Sequence, residues 1–262
     1  MSQTYSATGI ILKSKPHGES DKLVTVLTPH FGVIRAIAPG ARKPKSRLRG
    51  RTEIFVINQL LLVKGRSLDK LIQAETIESY PGLSRQLAKL AIAQYWAEVV
   101  LTLELSDQPH EQLYAVLCQR LEQLHTLPAQ TPLAVFIGHL SRGLWQFLTW
   151  GGIAPSLLHC GLSGQPIQPS EADPDWRVGM SFELGSLIVL PPSQAVVLHA
   201  HLRSAEVLAL QALQFGQLPS PEMLPLVAWR GVERVLRHYC QYHLGKGIRS
   251  AALLDTLFME DF

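Results

Sequence analysis

The sequence predicts an α+β protein, a small five-stranded β-barrel followed by a mainly α-helical domain, and three observations carry that expectation. The apolar period changes from two residues to 3.6 after Pro81 and Gly82. Turn-forming Gly and Pro punctuate the first 80 positions at short intervals. The charge divides at the same boundary: residues 1–80 hold 13 Lys plus Arg against 6 Asp plus Glu, a net of +7, while 81–262 sum to −4 behind an overall +3. The domains are therefore drawn at 1–80 and 81–262.

Between Tyr5 and Ser79 the expected strands are Ile10–Lys13, Leu23–Thr28, Gly32–Ala38, Glu53–Lys64 and Asp69–Thr76, each a short segment rich in β-branched residues. Pro29 with Gly32, Pro39 with Gly40, and Gly65 mark the turns, and no stretch among them keeps helical periodicity long enough for a substantial helix. Five strands in so short a span suit a Greek-key barrel of the OB type, and other small barrels and sandwiches fit the same count.

Past residue 82, Leu113, Val116, Leu117, Leu121 and Leu124 line one helical face, and Leu133, Phe136, Ile137, Leu140, Leu144, Phe147 and Leu148 line another. Thr131 with Pro132 supplies an N-cap and a first-turn proline for the second, and Gly151 with Gly152 supplies its stop. A third helix is expected from about Pro225 to His243, burying Trp229, Val232, Leu236, Tyr239 and Cys240 and ending at Gly245. Residues 152–193 interrupt this pattern with prolines, glycines and few periodic positions. Irregular segments beyond about 12 to 15 residues usually hold a function or a small module of their own.

With 262 residues, 47% hydrophobic and 17% charged, the chain can bury one or two cores and is not a disordered tail. Its opening apolar run, Ile10 to Leu12, matches neither a secretion signal nor a membrane span, so a cytoplasmic, nucleoid-associated location without membrane contact is expected. Cys118, Cys160 and Cys240 are odd in number and far apart, which suits buried thiols in a reducing compartment rather than a disulfide framework.

The strongest local signal is the turn Pro39–Thr52. Arg42, Lys43, Lys45, Arg47, Arg49 and Arg51 place six cations in ten residues without an acid, and a polyanion that displaces its condensed counterions would relieve their repulsion. If extended, alternate spacing at 45, 47, 49 and 51 would aim four cations to one side. A charge run is ordinarily a solvated loop; here it joins two strands of an expected barrel whose loops and open face are common binding surfaces. Lys13, Lys15 and Arg35 complete the candidate nucleic-acid-binding set, and Phe31, Phe55 and Tyr5 are candidate stacking rings that would equally serve as core.

No catalytic residue or cofactor is expected. Gly245-Lys246-Gly247 lacks both the preceding glycine spacing and the following Ser or Thr of a phosphate-binding loop, and no Gly-x-Ser-x-Gly or His-Glu-x-x-His occurs. Cys160-Gly161-Leu162-Ser163-Gly164 looks like half of a zinc knuckle whose second thiolate has become a hydroxyl. His159 is adjacent but unpaired and no Cys or His follows before Pro192, so no metal is expected there. His199 and His201 could share a metal only with further ligands that the sequence does not nominate.

Taken in order, Gly9-Ile-Ile-Leu12, Gly18-Glu19-Ser20-Asp21-Lys22, Thr28-Pro29 before Gly32, and Gly40-Ala41-Arg42-Lys43 with Ser46-Arg47 resemble the RecO family of bacterial recombination mediators. The likeness resumes at Trp150-Gly151-Gly152 ahead of Cys160, and at Tyr239, Tyr242-His243-Leu244-Gly245 and Arg249-Ser250. That resemblance implies an OB-fold domain on a helical domain, binding of single- and double-stranded DNA, annealing of complementary strands, and cooperation with RecR and sometimes RecF to load RecA onto strands coated by single-strand-binding protein. Many members carry a four-cysteine zinc module where this chain has residues 159–192; this sequence keeps Cys160 alone.

The family also implies contact with the C-terminal tail of single-strand-binding protein, which is acidic and ends in an apolar residue. Between Arg230 and Arg249 stand five cations and the single acid Glu233, interleaved with Trp229, Leu236 and Tyr239. Trp229, Arg230, Arg234 and Arg237 are therefore the partner-binding candidates, against the plainer alternative of a helix with a buried apolar face and solvated arginines. Three function classes follow: a DNA-binding recombination mediator, an RNA- or ribosome-binding OB protein, and a metal-dependent enzyme whose basic loop holds a phosphorylated substrate. The resemblance favours the first.

Overall fold

The computed structural model describes residues 3–103, 109–220 and 224–258. Strands β1 (Thr4–His17), β2 (Asp21–Thr28), β3 (Gly32–Ala38), β4 (Val56–Val63) and β5 (Asp69–Ser79) close into a barrel in the order β1-β2-β3-β5-β4, with β4 pairing back onto β1. Every neighbour is antiparallel except β3 and β5, whose short parallel contact seals the wall. This is the OB-type barrel that the strand count suggests.

β1 extends well beyond the expected Ile10–Lys13 because it serves two neighbours, and it changes register at a bulge between Ile11 and Lys13. The barrel is narrow, and its interior mixes Ala7, Ala36, Ala38 and Ala74 with Val24, Val26, Leu60, Leu62 and Leu71 to fill the taper. Gly9 sits where β1 meets β2 too closely for any side chain: a Cβ there would lie 2.6 Å from Val26 Cγ1. Between β3 and β4 the basic segment holds a single 3-10 turn, Gly50–Thr52, and no longer helix.

The described residues form two compact units, Met1–Thr126 and Leu127–Phe262. Helices α1 (Pro81–Ser84), α2 (Leu87–Leu103) and α3 (Glu111–Thr126) belong to the first, where α2 packs against β1 and α3 against β2. α3 buries Leu113, Leu117, Leu121 and Leu124 along one stripe, as its period predicts. α2 carries no such stripe in sequence, because it is apolar nearly all round and buried on most sides.

In the second unit, α4 (Leu133–Trp150) and α6 (Leu226–Leu244) pack together with α5 (Ser204–Gln214) against both, and α7 (Ala251–Phe258) meets α6 through the Arg237–Asp255 bond. α6 ends as expected at Gly245 in the left-handed conformation, φ 62°. Thr131 is not the N-cap of α4: Pro132 takes that position and the Thr131 hydroxyl donates to Pro128 O at 2.7 Å. The segment read as irregular, 152–193, also contains regular structure, since β6 (Arg177–Ser181) and β7 (Ser186–Val189) lie in it and, with β8 (Ala200–Arg203) just beyond, form a small sheet in the order β7-β6-β8. Strands of four or five residues are too short to show a period. Among the described residues no helix is long and apolar enough to cross a membrane.

Candidate nucleic-acid interface

The basic turn starts where β3 ends. Gly40, at φ 62°, donates its N–H to Asp21 Oδ1 at 2.7 Å, and Ser20 Oγ donates to the same oxygen at 3.0 Å. These two bonds, the backbone one foremost, hold the Asp21 carboxyl below its ordinary range, so it is a stable anion at the foot of the turn. Arg42 then clasps the β1–β2 turn: its backbone N–H reaches Ser20 O at 2.9 Å and its guanidinium Nη1 reaches Gly18 O and Glu19 O at 3.1 and 3.0 Å. Ala41 is fully buried in the barrel cluster and Leu48 packs against it, so the turn is pinned by apolar contact as well.

The segment is not extended, the condition on which alternate spacing would have aimed four cations to one side. Lys43 N bonds Gly40 O, Ser46 N bonds Lys43 O and Arg49 N bonds Ser46 O, at 3.0 to 3.2 Å, so the backbone coils at a step of three. Alternation at 45, 47, 49 and 51 therefore does not point to one side. Burying Ala41 and Leu48 on a closed barrel requires the chain to fold back, and coiling satisfies the backbone groups that extension would leave unpaired. Arg42, Lys43, Lys45, Arg47 and Arg49 are exposed, and Arg51 is half-buried where Asn58 Nδ2 donates to its carbonyl at 2.9 Å. Nearby, Lys22 is neutralised by Glu53 at 2.7 Å.

The strand candidates come together. Lys13 pairs with Thr25 and Thr25 with Arg35, so Lys13 and Arg35 flank Thr25 on one outward face, two strand spacings or about 10 Å apart. Lys15, two residues on, shares that face, and all three cations are exposed. At the start of β3 opens a concavity of about 640 Å³ lined by Tyr5, Phe31, Arg35, Lys64 and Asp69 among others. Phe31 is 46% exposed, with its ring centroid 5.3 Å from that of Tyr5. Burial, then the Tyr5 hydroxyl's bond to Asp69, keeps that phenol protonated; Asp69 also takes the Gly65 N–H at 2.9 Å and lies 3.8 Å from Lys64 Nζ. β3 thus runs from a groove with an open aromatic face, past Arg35, to the basic turn.

Of the three rings, Phe31 is the exposed one, and Tyr5 backs it. Phe55 is not: it is 3% exposed, at φ 63°, with its N–H bonded to Ile11 O at 2.7 Å. Sequence reasoning missed Lys64, since a Lys and an Arg either side of Gly65 are too few to stand out as a run.

The partner-binding set divides. Trp229 is 1% exposed in the packing of the second unit, and Arg237 is 6% exposed, held between Glu233 at 3.0 Å and Asp255 at 2.6 Å. Neither can meet a tail at the surface, because the face of α6 that carries them is turned inward and Arg237 compensates a fully buried Glu233. Arg234 is exposed and Arg230 half-buried.

The zinc-like segment is held by hydrogen bonds. Cys160 N donates to Gln165 O at 2.8 Å, Gly164 N to Cys160 O at 2.9 Å, and Val189 N to Cys160 Sγ at 3.4 Å. Burial raises the Cys160 thiol, but donors from Ser163, Val189 and Leu162 outweigh it and lower the group to about 7. No cluster of three or more His, Cys, Asp or Glu suited to a metal occurs among the described residues; His199 and His201 lie exposed at β8.

Comparison with known proteins agrees with this architecture. The family model described as Recombination protein O N terminal matches residues 1–80, and Recombination protein O C terminal matches 84–252. Among curated relatives, DNA repair protein RecO of Gloeothece citriformis is 48% identical over 286 residues, covering all of both chains. The RecO of Acaryochloris marina is 45% identical over 98% of this chain and 96% of its own, and that of Synechocystis 43% identical over all of both. With both family models matched in order and full-length relatives at this identity, the chain belongs to the RecO family.

Proposed function

We propose that this chain is a DNA-binding recombination mediator, which anneals complementary strands and helps to load RecA onto single-stranded DNA covered by single-strand-binding protein during repair. The observation that supports it most is the alignment along β3 of an exposed aromatic groove, a strand-borne arginine and an anchored cationic turn. An anionic polymer with flat bases is the ligand that uses all three: cations take phosphates without reading sequence, and Phe31 offers a ring that any base can cover. The DNA repair named in its relatives fits this ligand.

The mechanism is physical rather than chemical, and the protein acts without enzymatic chemistry or a cofactor. Cations of the 1–80 domain neutralise strand phosphates, lower the repulsion between strands and let complementary bases meet. The helical domain over 81–262 recruits protein partners: the acidic tail of single-strand-binding protein, RecR and possibly RecF, with RecA reached indirectly. Because Trp229 and Arg237 are buried, the tail engages other parts of that domain.

The direct test is strand annealing of complementary oligonucleotides, with and without single-strand-binding protein. Faster annealing in both settings is the expected result; no acceleration in either would refute it. Competition between single-stranded DNA and RNA of one sequence tests the alternative of an RNA- or ribosome-binding OB protein, which would prefer the strand bearing 2′-hydroxyls.

A further inference from the structure

α6 turns most of its apolar side chains inward, Val227 at its start excepted, and carries one polar line along its outer side. Arg230, Arg234, His238 and Tyr242 follow at steps of four, each about 6 Å further along the axis, and the last three are exposed. Glu233, the helix's one acid, is fully buried against Arg237, and among the described residues no carboxylate lies within ion-pair distance of Arg234. Partial burial and then the charges of Arg237 and Arg234 hold His238 below its ordinary pKa, with Asp255 opposing them. A cationic stripe that discourages a further proton is one that an anion would relieve.

The stripe ends on a braced ring. Tyr242, 46% exposed, meets Phe182 edge-on at 5.8 Å and His199 at 5.3 Å, while His199 stacks on Phe182 at 4.5 Å with 12° between planes. Backbone bonds lock this bracket: Phe182 N donates to His199 Nδ1 at 3.1 Å, and His243 Nε2 donates to Phe182 O at 3.0 Å. Lys246 stands exposed just beyond. The apolar side chains of α6 that would make a pocket, Trp229 and Leu236, are each 1% exposed. Val227, 71% exposed, lies in the first turn of α6, about 10 Å along the axis from Arg234 and farther from Tyr242, so an acidic peptide with an apolar end finds cations here but no pocket beside them, whereas a strand carrying phosphates and flat bases finds both of its partners.

We propose that this stripe, Arg234, His238 and Tyr242 with Lys246 beyond it, is a second single-stranded DNA site, with phosphates on the cations and a base on the Tyr242 ring. It rests on the reading that the chain binds and anneals DNA, and it deepens it. Two strands bound to one polypeptide meet at an effective concentration far above that in solution. The barrel would hold one and α6 the other.

The test uses the full-length protein in two measurements. A single strand bearing photoactivatable thymines is crosslinked and the attached peptides are mapped; adducts within 238–246, besides those on the barrel, are expected. Annealing is then timed for Arg234→Gln with Tyr242→Ala, which should melt like the parent, bind a lone strand within about twofold and anneal about tenfold more slowly. Crosslinks confined to the barrel, or an unchanged annealing rate, overturn the proposal. So does a variant that anneals normally but no longer binds an acidic, apolar-ended peptide, which would make the stripe a protein-docking surface. If the double variant melts early, the crosslink map of the unaltered protein decides. A parent protein that neither binds nor anneals strands would overturn the function proposed above, and this site with it.

Discussion

Replacing Lys43, Lys45, Arg47 and Arg49 together by Ala removes four exposed cations from the turn while leaving its buried anchors, Ala41 and Leu48, and the Arg42 clasp in place. If each contacts one phosphate, the slope of log affinity against log salt falls by about 3.6 on duplex and about 2.8 on single strands. Between 50 and 200 mM salt, a fourfold change, the parent should then lose roughly 150-fold more affinity than the variant on duplex and roughly 50-fold more on single strands. Fluorescence anisotropy of a labelled oligonucleotide across a salt series measures the slope directly, and thermal melting checks that the barrel is intact. Parallel salt slopes for parent and variant, with equal melting temperatures, would refute the assignment. Arg42→Ala supplies the contrast: losing the bonds to Gly18 and Glu19 should lower the melting temperature while changing the slope by about one contact at most.

Phe31→Ala should weaken single-strand binding by about 1–3 kcal/mol with little effect on melting, whereas Phe55→Ala should cost roughly 3–5 kcal/mol of stability, so equal melting losses would undo the distinction between open and buried ring. Burial lifts Glu233 to about 7 against the attraction of Arg237, and unfolding returns it to 4.5. The folded state therefore binds that proton more tightly, and the associated stability, full below pH 4.5, is lost as pH rises through 7. Glu233→Gln should flatten this part of the profile by up to about 3 kcal/mol in urea unfolding between pH 5 and 8; a parent-minus-variant difference constant across that range would contradict it. Elemental analysis should find no stoichiometric zinc and chelators should leave melting unchanged, because Ser163 and the lack of Cys or His between Cys160 and Pro192 leave too few ligands. One tightly bound zinc per chain would reverse that conclusion.

The barrel was legible because its strands are separated by residues that cannot continue them: Pro29, Gly32, Pro39, Gly40 and Gly65 each fall at or beside a turn. α4 and α6 were legible because each buries one stripe. The parts that escaped depend on contacts distant in sequence. The pairing of Tyr5 with Asp69, 64 residues apart, sets the groove, and no local pattern announces it. The coiling of residues 39–52 follows from Ala41 and Leu48 docking on the barrel, and both look unremarkable beside six cations. Trp229 and Arg237 read as a cation-edged apolar surface in one dimension; the buried Glu233 and the approach of Asp255 from α7 turn Arg237 inward. β6 to β8 are too short to carry a period, and α2 is apolar on too many sides to show one.

The anchoring of the basic turn bears on kinetics. Its backbone is fixed by the Asp21 contacts, the Arg42 clasp and a ladder of turn bonds before any ligand arrives, so a polyanion arriving there need not order a loop. With ordering removed from the encounter, long-range attraction sets the association rate, and salt should act mainly through the rate of arrival rather than of departure. On the function proposed above, a turn built in this way would capture a strand on nearly every well-oriented encounter, so the barrel's contribution to annealing would be set by how often strands arrive.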